Sequence, residues 1–194
     1  MTLDRSARVR STSIWMIRRN LELIPACHLP SGFHFREFRK GDEDLWAQVH
    51  TEAGQFDDIQ SAIARFASDF GPYLDELESR NIFIIHDETG EAAGSATAWR
   101  NPDFRGECYG HVHWVSIRPE FQGRRLGKAL IARVLQRLAE SHTKAFLHTQ
   151  TFRAKAINIY LDFGFEPFFT KPTCEEAWRG LARLLKHPAL DKFA

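Results

Sequence analysis

Apolar and polar positions alternate through FHFREF from Phe33, the two-residue period of a half-buried strand, and the acidic opening of GDEDLWAQVHTEAG predicts a helix behind it. A second helix is predicted from Ile59 to Phe70, where Ile59, Ile63, Phe66, Ala67 and Phe70 recur at spacings of three and four, with Gly71 and Pro72 ending it. NIFIIHD and the segment from Ala92 to Arg100 read as strands joined by the turn DETGE, and CYGHVHWVSI follows as a third strand after the loop NPDFRGE. The longest helical period runs from about Arg124 to Ser141, with Leu126, Leu130, Val134 and Leu138 in one row and Ile131 and Leu135 beside it. AFLHTQT then reads as a strand, AKAINIYLDF as a short helix stopped at Gly164, FEPFF as a last strand, and Thr173 to Lys186 as a helix. The chain therefore divides into a disordered leader (1–15), an extended arm (16–32), one α/β domain (33–170) with a mixed sheet flanked by helices, and a helical tail (171–194).

Composition narrows the classes of function. The 26 Lys and Arg nearly cancel the 25 Asp and Glu, so no overall field draws the molecule to nucleic acid or an anionic membrane. Cys27, Cys108 and Cys174 are far apart, odd in number and without a CxxC pair, which suggests neither a disulfide framework nor a zinc cluster and fits a reducing cytoplasm. No apolar run approaches the ~20 residues needed to cross a bilayer, and MTLDRSARVRSTSIW lacks the apolar centre of a secretory signal. No His, Cys and Asp set has metal-ligand spacing, and Ser116 lacks a GxSxG elbow.

The candidate chemistry lies in VSIRPEFQGRRLGKAL, where a β-branched strand passes a proline and a basic glycine turn directly into the long helix. A helix start has backbone N–H groups outside its own ladder and about half a positive charge, which suits a pyrophosphate. Gly123 and Gly127 allow close approach, and Arg124, Arg125 and Lys128 add cationic reach. Taken alone, such a turn is also an ordinary glycine turn.

This stretch resembles the GNAT superfamily of N-acetyltransferases, whose signature is a V-x-V/I strand, a proline, and Q/R-x-x-G-x-G/A opening a helix. The matching residues are Val115, Ser116 and Ile117, then Pro119, then Gln122, Gly123, Arg124, Arg125, Leu126 and Gly127. A second block, Ala156-Ile157-Asn158-Ile159-Tyr160 followed by Gly164-Phe165, is similar to the family's Asn- and Tyr-bearing helix before a "GF" strand entry, and the likeness covers about residues 33–170. One departure is Arg125, which stands at the family's central glycine. With right-handed backbone angles there, glycine is needed only for room, and the guanidinium either crowds a phosphate or binds it.

The resemblance implies acetyl-CoA as co-substrate, with no metal. The backbone of Val115, Ser116 and Ile117 would pair with the pantetheine arm, the amides from Gln122 to Lys128 would hold the pyrophosphate, Asn158 would touch the arm, and Tyr160 would protonate the departing thiolate. The expected acceptor is a primary amine of a small molecule that attacks directly in a ternary complex. A protein N-terminus or lysine is the enzymatic alternative, and a non-catalytic acyl-CoA sensor the other.

An amine of pKa near 10 is about one part in a thousand neutral at pH 7, so a general base is worth up to ~4 kcal/mol. His111 and His113 share the strand parity of Val115 and Ile117 unless a bulge intervenes, and imidazole suits the task; packed or solvent-facing histidines are the equal alternative. His148 and Gln150 form a polar row on the next strand, which ordinary solvated polarity also explains. Phe56, Asp57 and Asp58 sit where an acceptor pocket could be shaped, though a helix N-cap is the simpler role for either aspartate. An open sheet edge or the C-terminal segment offers a surface for a homodimer.

Overall fold

The computed structural model describes residues 12–170 and 173–193. The chain forms two compact units, Arg19–Ala145 and a smaller one built from residues up to Arg18 and from Phe146 onward. Most of the sequence-expected leader therefore lies outside the described residues. Ser13–Arg18, however, forms strand β1 and crosses the expected boundary between leader and arm. Ile14 and Met16 are buried, and the strand pairs antiparallel with β7, Glu166–Phe168, placing Trp15 opposite Phe168. The Arg/Ser-rich residues ahead of it hid that alternation.

In the larger unit the order is β2 (Phe33–Glu37), α1 (Glu43–Glu52), α2 (Ile59–Phe70), α3 (Leu74–Arg80), β3 (Asn81–His86), β4 (Ala92–Phe104), β5 (Glu107–Ile117) and α4 (Leu126–Ala139). Strands β2, β3, β4 and β5 are neighbours in that order, each pair antiparallel. α1 and α2 cover one face of this sheet, and Phe38, Trp46, Phe66, Phe70, Phe83 and Ile85 pack into a single apolar core between them. α4 lies on the other face, where Gly110 leaves room for the Leu138 side chain. The predicted row of Leu126, Leu130, Ile131, Val134, Leu135 and Leu138 is buried.

Three details depart from the periodicity reading. The buried face of α2 is Ala62, Phe66 and Phe70, whereas Ile59 and Ile63 are exposed, because the sheet meets the helix along the i, i+4 row through Phe66. α2 ends at Phe70 as expected, but Gly71 and Pro72 then form a 3-10 turn into a further helix, α3, that the periodicity did not show. β4 runs on through Phe104, so the expected seven-residue loop shrinks to a two-residue turn at Arg105 (φ 56) and Gly106 (φ 82), whose paired left-handed angles match the twist of the hairpin.

The smaller unit holds β6 (Ala145–Gln150, whose first residue belongs to the larger unit), α5 (Ala154–Asp162), β7 and α6 (Thr173–Leu185), with β1 between β6 and β7. The fold class is the one expected, α/β with a mixed, mostly antiparallel sheet flanked by helices, and β1 brings the six expected strands to seven.

Candidate active site

The end of β5 carries a bulge. Thr97 opposes His113 and Ser95 opposes Ser116, so two steps on β4 face three on β5, with Trp114 at φ 48. The extra residue reverses the side-chain alternation. His111 and His113 therefore share a face with Ser116, and the parity first expected with Val115 and Ile117 does not hold.

Beyond the bulge the backbone polarity also follows. Arg118 N–H donates to the Ala93 carbonyl at 2.9 Å, so Arg118 and Ser116 direct their main-chain groups at β4, and Val115 and Ile117 direct theirs away from it. The Val115 carbonyl accepts the Gln55 side-chain amide at 2.9 Å and the Ile117 carbonyl accepts that of Gln122 at 3.0 Å. The same Gln55 amide meets the buried Ser116 hydroxyl, which is 2.9 Å from Nδ1 of the fully buried His50. Gln55 and His50, from the loop after α1 and from α1 itself, thus pin the bulge. Neither lies in a motif, and no local signal pointed to them.

Arg118 anchors the root of the following turn. The residue is 8% exposed, and its guanidinium reaches Glu52, Glu120 at 2.6 Å and Glu91 at 3.8 Å, donates to the Ala92 carbonyl at 3.3 Å and lies over the Phe121 ring. After the Pro119–Phe121 3-10 turn, Gln122, Gly123, Arg124 and Arg125 are exposed. Gly123 has φ 80 with nothing within 4 Å of a Cβ built there, and Arg125 has φ 62, ψ 10. Arg125 is thus left-handed, contrary to the right-handed start considered above: the chain must turn inward before the helix, and glycine would suit the angle as well as the space. The α4 ladder opens with Lys128 and Ala129 N–H donating to the Arg125 carbonyl. The amides ahead of them cross a left-handed residue into a right-handed helix, an arrangement that gathers N–H groups in an anion-accepting concavity. Arg124 lies over the Phe33 and Phe121 rings, 5.9 and 5.6 Å from their centroids, which holds its charge beside the turn.

His113 meets Asp69 of α2, with Nε2 3.5 Å from Oδ2; the same oxygen accepts the Trp114 indole at 2.9 Å and Arg65 Nε at 3.0 Å. Burial pushes the Asp69 carboxyl up, but these three donors outweigh it and hold the group at about 2. Burial also pushes the His113 imidazole down, against the opposing pull of Asp69. His111 stacks on His113, ring centroids 4.2 Å apart. Asp58, in contrast, is the N-cap of α2, accepting Ser61 N–H at 2.7 Å, the simpler of the two roles weighed for it.

In the smaller unit, Asn158 is half-buried and Tyr160 is buried on α5. Burial, only partly offset by the Arg153 charge, raises the Tyr160 phenol to about 12. His148 is exposed beside Trp15, ring centroids 4.7 Å apart, and Gln150 is half-buried. An open cleft of about 610 Å³ in the larger unit, lined by Phe35, Phe38, Glu78 and Arg133 among others, includes no residue of the bulge or turn. Among the described residues, no His, Cys, Asp and Glu group is placed to hold a metal, and no helix is long and apolar enough to cross a membrane.

Residues 43–165 match the model of the acetyltransferase (GNAT) family, and the chain belongs to that family. Curated relatives include mycothiol acetyltransferases of Pseudarthrobacter chlorophenolicus, 28% identical over 73% of this chain and 45% of the relative, and of Sanguibacter keddieii, 30% identical over 74% and 47%. The chain spans about half the length of the curated relatives it matches. Among solved structures, a GCN5-related N-acetyltransferase from Sphaerobacter thermophilus superposes with a TM-score of 0.66 at 20% identity, covering 80% of this chain and 48% of that one. A GNAT-family acetyltransferase from Colwellia psychrerythraea gives 0.63 at 11% identity, covering 81% and 53%. These two likenesses are of fold.

Proposed function

We propose that this chain transfers an acetyl group from acetyl-CoA to the primary amine of a small molecule by direct attack in a ternary complex. The observation that carries the reading is the turn from Gln122 to Gly127. Left-handed Gly123 and Arg125 gather its amides at the head of a 14-residue helix, and three cations flank it. This fits a pyrophosphate: open space at Gly123 admits it, and exposed Arg124 and Arg125 compensate its charge. The relatives named mycothiol acetyltransferases favour a small-molecule acceptor over a protein one.

Acetyl-CoA supplies the thioester. The chain supplies position and proton handling. The outward main-chain groups of Val115 and Ile117 take the pantetheine amides, and because a carbonyl has two lone pairs, Gln55 and Gln122 need not leave. By resemblance to the family's Asn-bearing helix, Asn158 is a further cofactor contact. His113, with His111 beside it, accepts the proton that the neutral amine nitrogen sheds as it attacks. With its phenol at about 12, Tyr160 is roughly 5 kcal/mol weaker an acid than a free thiol, so it serves the leaving sulfur as a hydrogen-bond donor more than by complete proton transfer.

Calorimetry with acetyl-CoA and desulfo-CoA, followed by thiol release across a panel of amines, tests this. Binding should be lost in Gly123→Glu, and Tyr160→Phe should lower kcat with little change in KM. Undiminished binding in Gly123→Glu, or the absence of thiol release with every amine, would sink the proposal.

A further inference from the structure

The Asp69 carboxylate lies 44 residues before His113 in the chain, and no motif marks it. Its Oδ2 already accepts two groups that can only donate, the Trp114 indole at 2.9 Å and Arg65 Nε at 3.0 Å. A carboxylate used in this way is ionised and accepts only. His113 Nε2, 3.5 Å from the same oxygen, must therefore present an N–H to it, since a bare lone pair there would face another. The proton on Nε2 leaves Nδ1 as the accepting nitrogen. The 3.5 Å separation is long for a ground-state hydrogen bond, and such contacts tighten as charge develops on the ring.

The surroundings keep this state neutral at rest. Arg65 and Asp69 form an ion pair, so a proton added to His113 adds net charge where its side chain is only 21% exposed. Among the described residues, the charged and titratable groups facing the ring are Asp69 and Arg65 from α2 and the stacked His111 from β5; β4 places uncharged Thr97 opposite, and Phe70 and Trp114 are further ring neighbours. Trp114 links the same carboxylate to the bulge, because a bulky residue at φ 48 is uncommon and this one is tied to Asp69 through its indole.

We infer that Asp69 is the positioning residue of this site: it holds His113 as the Nε2–H tautomer, with Nδ1 as the proton acceptor, and secures the β5 bulge through Trp114. The catalytic consequence rests on the acetyl-transfer reading above, whereas the tautomer does not. In the transfer step the neutral amine nitrogen forms a bond to the acetyl carbonyl carbon, the C–S bond breaks with its electron pair leaving on sulfur, and the N–H proton that the acylated nitrogen loses in becoming an amide passes to Nδ1 while Nε2–H stays on Asp69.

Protein labelled with ¹⁵N-histidine, with His113 assigned by its loss in His113→Gln, reports the tautomer directly at pH above its titration. The Nε2–H pattern is expected in wild type, and a mixed or inverted pattern in Asp69→Asn, whose amide can donate to Nε2. With an amine that is turned over, Asp69→Asn should lower kcat about 10-fold or more with KM within about twofold, and move the acidic limb of the pH profile to lower pH. The limb moves down because the carboxylate that favours the imidazolium is gone. An Nδ1–H pattern in wild type, or an unchanged tautomer and acidic limb in Asp69→Asn, overturns the inference. An unchanged kcat in His113→Gln beside the expected tautomer would instead remove His113 as the base and leave its placement by Asp69 intact.

Discussion

Arg125 separates two roles that a family glycine would combine, because its backbone is left-handed and its side chain charged. The left-handed angle costs an L-residue with a Cβ about 1 to 2 kcal/mol. Arg125→Gly removes that cost but gives the unfolded chain about 0.5 to 1 kcal/mol more entropy to lose, so the variant should be about 0.5 kcal/mol more stable than wild type. Arg125→Ala keeps the Cβ and the strain and should stay near wild type. Both variants lose the guanidinium. At an exposed site a charge-assisted contact with pyrophosphate is worth about 1 kcal/mol, so each should bind CoA about fivefold more weakly at low salt, a gap that narrows as salt rises. Urea unfolding and CoA titrations at about 50 and 200 mM salt measure the two effects separately. Equal CoA affinity of wild type and Arg125→Ala at both salts would refute a phosphate-binding role for the guanidinium. A loss of more than about 1 kcal/mol in Arg125→Gly would refute the strain argument.

Three further outcomes follow from the bulge and its braces. A Cβ at Gly94 would lie 2.6 Å from the Ser116 carbonyl oxygen and meet Ile117 Cδ1, so Gly94→Ala should cost about 1 to 3 kcal/mol in urea unfolding and weaken CoA binding by displacing Val115 and Ile117. Ser116→Ala leaves His50 Nδ1 and the Gln55 amide without the hydroxyl between them and should cost about 1 to 3 kcal/mol in the same assay. Asp69, held at about 2 against an ordinary 3.8, adds stability that is complete above the ordinary value and fades as pH falls toward 2, so the stability gap between wild type and Asp69→Asn should narrow across that window. A gap constant with pH would assign the loss to packing.

The GNAT family, the mixed sheet and the glycine turn that opens α4 were legible from residues close together in the chain. The 3.6-residue row of α4, the two-residue alternation of β2 and the strand-proline-glycine order around Ile117 are local patterns, set by helix and strand geometry within one segment. Others of the same scale misled: periodicity assigned Ile59 and Ile63 to the core, although which edge of an apolar stripe is covered depends on the sheet beneath it.

Sequence alone thus determined most of the elements and their order, β1 and α3 excepted, and singled out the glycine turn before α4 as the candidate anion site. Only the tertiary structure decided that β1 pairs with β7, that Trp114 takes the bulge and turns His111 and His113 toward the Ser116 side, that Arg125 is left-handed, and that Gln55, His50 and Asp69 brace the strand carrying the candidate base. The physical reason is distance along the chain. Register and hydrogen-bond partnership are set here by groups 44 to 153 residues apart, as between Asp69 and His113 or Trp15 and Phe168, and no periodicity within one segment encodes them.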